Sequence, residues 1–134
     1  MKNIRIISIL SFVFLVSNCQ KEEVDYRNKY IGNWEFTVIR NEFLMSTNDG
    51  NDGYNRTDTI KYLGKIEKGD LKNEIKMQYT NDNLLIVEIN ETGEFIFPPP
   101  RKSGNFDGTN KVNIYLFWGG QGGGTTHRID GIKL

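Results

Sequence analysis

Between residues 24 and 133, period-two alternation of apolar side chains dominates and helical spacing is scarce. A strand turns successive side chains to opposite faces, so this pattern buries one face of a sheet and wets the other. Residues 31–40 put Trp34, Phe36 and Val38 on one face and Asn33, Glu35 and Thr37 on the other, and residues 43–45 continue after a bend. Residues 57–68 set Ile60, Tyr62, Gly64 and Ile66 against Lys61, Lys65 and Glu67. Residues 72–80 turn Ile75, Met77 and Tyr79 inward; residues 84–90 do the same with Leu85, Val87 and Ile89. Phe95 and Phe97 follow in residues 94–97, and a short strand spans 103–106. Residues 111–118 aim Val112, Ile114, Leu116 and Trp118 at the core, and residues 125–133 close the chain.

Turn formers separate these runs. A polar loop is predicted over 47–56, carrying Asp49-Gly50 and Asp52-Gly53, and a long glycine loop over 119–124. Gly69-Asp70, Asn81-Asp82-Asn83, Glu91-Thr92-Gly93 and Asp107-Gly108 mark shorter turns. The prolines at 98–100 have no N–H to give a ladder, so a strand stops there. Seven or eight strands at about ten-residue spacing are the signature of an all-β sandwich or barrel, and the short turns favour an antiparallel meander. A short helical turn fits residues 25–30.

The 134 residues allow one domain, and 37% hydrophobic content is enough for an ordered core. Lys plus Arg equals Asp plus Glu at 17 each, which gives no reason to expect nucleic acid as a partner. One Cys and one His exclude a disulfide framework and a zinc site built from several such ligands.

The first residues have a separate logic. Lys2 and Arg5 precede an apolar run over 6–16. As a helix this run reaches about 16 Å, half of a bilayer core, so it fits a secretory signal and not a membrane span. Val16-Ser17-Asn18-Cys19 then resembles the lipobox of bacterial lipoproteins, with Asn18 where Gly or Ala is usual. The resemblance implies that residues 1–18 are a signal peptide, that Cys19 carries a diacylglycerol thioether, and that 19–29 form a lipidated N-terminus and linker. Gln20, Lys21, Glu22 and Glu23 resemble the export signal of Bacteroidota-type surface lipoproteins. That likeness implies a protein on the outer membrane, lipid-anchored and facing the cell exterior.

Tyr30-Ile31-Gly32-Asn33-Trp34 resembles the lipocalin and calycin entry motif, in which a helical turn leads to Gly-x-Trp on the first strand. This implies a small antiparallel up-and-down β-barrel over 30–134. It also implies that Trp34 plugs a closed end and that a basic residue of the last strand, Arg128 by position, stacks over it. Eight strands leave an interior that side chains can fill or that can hold one small molecule. A ligand inside would meet Trp34, Phe36, Tyr62, Met77, Tyr79 and Trp118.

No catalytic pattern emerges. Residues 49–53 miss the EF-hand count, with Ile60 where the bidentate Glu belongs, and read as a turn. The 119–124 glycines precede a strand, not a phosphate-binding helix. His127 has no Gly-x-Ser-x-Gly companion. No cofactor or metal is expected. The expected function is a non-enzymatic binding or envelope-structural module on the cell surface. The alternative is a lipocalin-like carrier of a small apolar ligand; a hydrolase has no positive feature. The partners are the outer membrane through Cys19, and a small apolar ligand or an envelope protein. Tyr115, Phe117, Ile39 and Leu63 are expected on the outer face, as a partner surface or packed beneath residues 98–102 or the N-terminal linker.

Overall fold

The computed structural model describes residues 24–46, 50, 52–98 and 101–134. The leader 1–18, Cys19, Gln20, Lys21, Glu22 and Glu23, and Asp49 and Asn51 of the acidic loop, lie outside the described residues. A short 3₁₀ turn, Tyr26–Lys29, leads into eight strands. They are β1 Gly32–Leu44, β2 Tyr54–Lys68, β3 Glu74–Gln78, β4 Leu84–Ile89, β5 Phe95–Ile96, β6 Lys102–Asp107, β7 Lys111–Gly120 and β8 Gly123–Lys133.

All eight belong to one sheet, in the order β5-β4-β3-β2-β1-β8-β7-β6. Each neighbouring pair is antiparallel. The pairing of β1 with β8 bends the meander back on itself and makes a nearly closed up-and-down barrel. The seam lies between β5 and β6, which meet at the Glu94–Asn105 bridge and where the Phe106 N–H donates to the Gly93 carbonyl at 2.9 Å.

The predicted parity sets the register. Trp34, Phe36 and Val38 stand opposite Gly64, Tyr62 and Ile60 on β2, and opposite Lys133, Gly131 and Ile129 on β8. Slipping β1 by one residue would turn Trp34 and Phe36 to solvent, so burial fixes the pairing. Trp34, Phe36, Ile66, Ile75, Met77, Ile89 and Leu116 are all fully buried.

Four expectations change. The loop predicted over 47–56 is shorter, because β2 starts at Tyr54 and runs the full length of β1. Polar side chains continue the ladder there: Asn41 Nδ2 donates to Asn55 Oδ1 at 2.6 Å and to Thr57 Oγ1 at 3.0 Å. The glycine loop over 119–124 shrinks to Gln121 and Gly122, since β7 and β8 pair out to Gly120 and Gly123. Trp118 keeps its inward parity but is 41% exposed. The cause is a lopsided wall. Strands β1, β2, β7 and β8 have 13, 15, 10 and 11 residues, whereas β3 to β6 have 5, 6, 2 and 6. Trp118 therefore stands on the tall side with no wall opposite.

Arg128 is the fourth. It pairs with Ile39 and Tyr115 and faces outward. Lys133 is the residue in register with Trp34, and its Nζ donates to the Lys29 carbonyl at 2.8 Å.

Candidate functional site

The floor of the barrel is solid. Asp25 caps the 3₁₀ turn through the Arg27 N–H at 3.0 Å, and the Trp34 indole N–H donates to the Tyr30 carbonyl at 2.9 Å. Tyr30 stacks on Phe106 at 3.8 Å, while Phe106 tilts against Trp34 at 5.7 Å and against Phe95 at 5.3 Å. Higher up, a Cβ on Gly131 would come within 2.6 Å of Val112 and 2.8 Å of Phe36. A Cβ on Gly104 would meet the Phe95 ring at 2.8 Å. The Phe36 and Phe95 rings thus lie over the glycine backbone of the neighbouring strands β8 and β6, leaving no room there for one more carbon.

The N-terminal segment is clasped to this closed end. Arg27 is buried and donates to the carbonyls of Leu71 at 2.7 Å and Glu74 at 2.8 Å. Its other nitrogens hold the Asp25 carboxylate, which Lys68 also approaches at 3.0 Å. Hydrogen bonding to Arg27 holds the Asp25 carboxyl far below the usual carboxylate range. The Tyr26 hydroxyl donates to the Ile89 carbonyl at 2.8 Å.

At the other end the inward parity carries polar groups. Beyond Val38 it reaches Arg40 and Glu42; before Ile60 it passes Asp58; on β8 it meets His127. Arg40 Nη2 pairs with Asp58 at 2.8 Å, and Arg40 Nε lies 4.0 Å from Glu42. His127 is 6% exposed. Its Nδ1 lies 3.1 Å from the Tyr79 hydroxyl, and Trp118 meets its ring edge-on at 4.9 Å. Burial, then the Arg40 charge, push the His127 imidazole below its ordinary value, with Glu42 opposing. Burial pushes the Tyr79 phenol up to about 12. Both are therefore neutral near pH 7, and Tyr79 can donate to Nδ1 with the imidazole proton on Nε2. Lys102, in register with Leu116, reaches over the same inner face, its Nζ 5.4 Å from the Trp118 ring centre.

The residues expected to line a ligand therefore separate into two levels. Trp34, Phe36 and Met77 sit in the sealed core, and Tyr79 is buried just above them. Tyr62 is half-buried, and Trp118 reaches the open mouth. The mouth groups Arg40, Glu42 and Asp58 were missed, although counting by twos along β1 and β2 leads straight to them. Among the described residues no carboxylate hydrogen-bonds His127 and no group of three His, Cys, Asp or Glu could hold a metal ion. A groove of about 560 Å³ runs along the seam, between Phe95 and Phe97 on one side and Lys102 to Asn105 on the other.

No protein-family model matches the chain, and neither a curated protein nor a solved structure shows significant similarity to it.

Proposed function

We propose that the chain is a lipid-anchored, non-enzymatic binding or envelope-structural module, held on the outer face of the outer membrane by acylated Cys19. The observation that carries this reading is the position of the N-terminal clasp. Asp25 and Arg27 fix the start of the folded chain at the closed, filled end of the barrel. Five residues, 20–24, lie between Cys19 and Asp25, so six chain steps reach about 20 Å when extended. An acylated Cys19 then sets the sealed floor toward the bilayer and presents the mouth and walls outward. Two or more acyl chains suffice for stable attachment, at about 0.8 kcal/mol per buried methylene.

Two experiments in the native host test this. Cys19→Ala should shift the protein from the membrane fraction to a soluble one; unchanged retention removes the anchor. An impermeant amine label should mark the protein on intact cells, and protection until lysis removes surface display.

A second reading, carriage of a small apolar molecule, draws support from the seam groove, where Phe95 and Phe97 face the gap between β5 and β6. Native mass spectrometry of protein from its own host would show the bound mass; a ligand-free spectrum ends that reading.

A further inference from the structure

The outer face of the tall wall carries a feature that the mouth does not explain. Register aligns its outward side chains into cross-strand rows. One row runs Asn105, Asn113, Asp130, Thr37; the next runs Ser103, Tyr115, Arg128, Ile39; a third runs Phe117, Thr126, Asn41. Adjacent members of a row stand on strands about 4.8 Å apart, and rows repeat about every 6.8 Å along the strands. A barrel wall is saddle-shaped, so its outside is hollow along the strand direction. Two recesses occupy this saddle, about 290 Å³ over Ile39 and Thr126 and about 270 Å³ over Asn113 and Asp130. Tyr115 and Arg128 line both.

The end toward the mouth is walled off. Phe117 meets Phe43 at 6.3 Å, and the Arg101 guanidinium lies 4.8 Å from the Phe117 ring centre. Asn41 donates to Thr57 at one border of the recesses; the polar groups that β6, β7 and β8 turn into them are free. Among the described residues, the side chains of Ser103, Asn105, Asn113, Tyr115, Arg128 and Asp130 have no hydrogen bond or ion pair. Arg128 and Asp130 are two apart on one strand face, yet they do not pair with each other.

We infer that this saddle binds an oligosaccharide, with Tyr115 stacking on the C–H face of a sugar ring and Arg128, Asp130, Asn113 and Asn105 hydrogen-bonding its hydroxyls. A ligand here must both donate and accept, because the amides do both, Arg128 only donates and Asp130 only accepts. It must also offer an apolar face to Tyr115. A sugar hydroxyl donates and accepts at once, and a pyranose ring carries such an apolar face. The two unpaired charges cancel, so the site does not select a polyanion. A peptide fits less well: across the middle of the saddle β7, β8 and β1 are hydrogen-bonded on both sides, and the unpaired edges, residues 102–104 of β6 and 54–64 of β2, lie only at its borders. The ladder also fixes the side-chain positions in advance, which reduces the ordering cost of binding.

This ligand class rests on the binding-module reading but not on the anchor. The purified full-length protein is screened on an array of bacterial and host oligosaccharides, with an extended-peptide library in parallel. The best oligosaccharide is then titrated calorimetrically. Arg128→Ala, at an exposed position, and Tyr115→Ala should each weaken binding about tenfold or more. Tyr115→Phe should keep most of it, and Trp118→Ala at the mouth should leave it unchanged. Cys19→Ala should bind the sugar as the parent does, so failure of the anchor and failure of the glycan site are separate results. Unaltered melting temperatures identify the effects as local. No oligosaccharide bound, binding unaffected by Arg128→Ala, or peptides captured on this face instead would each overturn the inference.

Discussion

The Tyr79 hydroxyl and His127 Nδ1 meet at 3.1 Å where the apolar layers of the barrel give way to the charges of its mouth. Both side chains are buried, so neither has ready access to water as a substitute partner. Tyr79→Phe keeps the ring and strands the imidazole nitrogen. It should destabilise the protein by about 1–3 kcal/mol in urea unfolding, the cost of one orphaned buried polar group. The double variant with His127→Phe should recover part of that loss, because both polar ends then disappear together. Additive losses would show that the pair is not coupled.

The same imidazole predicts a pH dependence. Its folded-state value lies below the ordinary one through burial and the Arg40 charge. The unfolded chain takes up a proton near about pH 6.5, while the folded protein does so only at lower pH. The unfolded state therefore binds more protons between the two values, and stability falls as pH drops below about 6.5 until the folded value is passed. Thermal unfolding should show a lower Tm at about pH 5.5 than at about pH 7.5, and His127→Gln should flatten that change. An equal fall in the variant would assign it to other groups. Asp25 acts in a separate window. Its carboxyl is depressed by Arg27, so its contribution is complete above the unfolded value near about 4 and is lost only on further acidification.

The barrel itself was legible because burial repeats every second residue, and that repeat specifies strand, face and register together. Trp34, Phe36, Met77 and Leu116 follow from it directly. Wall height was not legible. It depends on how far polar residues such as Asn55 and Thr57 can be carried along by a long neighbour, which hydrophobic alternation does not report. For that reason Trp118 looked like core, and residues 54–56 looked like loop. The Arg40–Asp58 pair leaves no trace in apolar alternation for the same reason. The resemblance assigns Arg128 a place over Trp34, whereas its parity on β8, in register with Ile39 and Tyr115, turns it outward. The seam at β5 and β6 was half visible, since the prolines at 98–100 mark where β5 must stop. That β1 and β8 close the sheet depends on pairing across the whole chain, and no local pattern encodes it.

The clasp at the closed end should dominate the stability of the N-terminal turn. Arg27 is buried, with its charge met by Asp25 and its remaining donors by two carbonyls. Arg27→Ala removes all of these and leaves the Leu71 and Glu74 carbonyls without this donor. A loss of about 3 kcal/mol is expected in chemical denaturation. Hydrogen exchange should quicken at the Asn28 and Tyr30 amides, which close the turn onto the Asp25 and Arg27 carbonyls. Unchanged protection there would mean the turn is held by its other contacts, the Asp25 cap, Tyr26, Trp34 and Lys133 among them.

Whether the barrel is packed or hollow can be decided with single methyl groups. A methyl on Gly131 points inward between Val112 and Phe36, with 2.6 Å to the first and 2.8 Å to the second. Neither neighbour can retreat easily, because Phe36 is also stacked beside Trp34 at 6.3 Å and both are fully buried. Gly131→Ala should therefore cost about 1–3 kcal/mol, as overpacking does in a dense core. Gly120 provides the contrast, since nothing lies within 4 Å of its added Cβ. Gly120→Ala should leave stability within about 0.5 kcal/mol of the parent, as expected for a surface change. If Gly131→Ala were as benign as Gly120→Ala, Phe36 and Val112 must have space to move into. The interior would then contain room that a small apolar ligand could share, and the carrier reading would gain at the expense of the filled barrel.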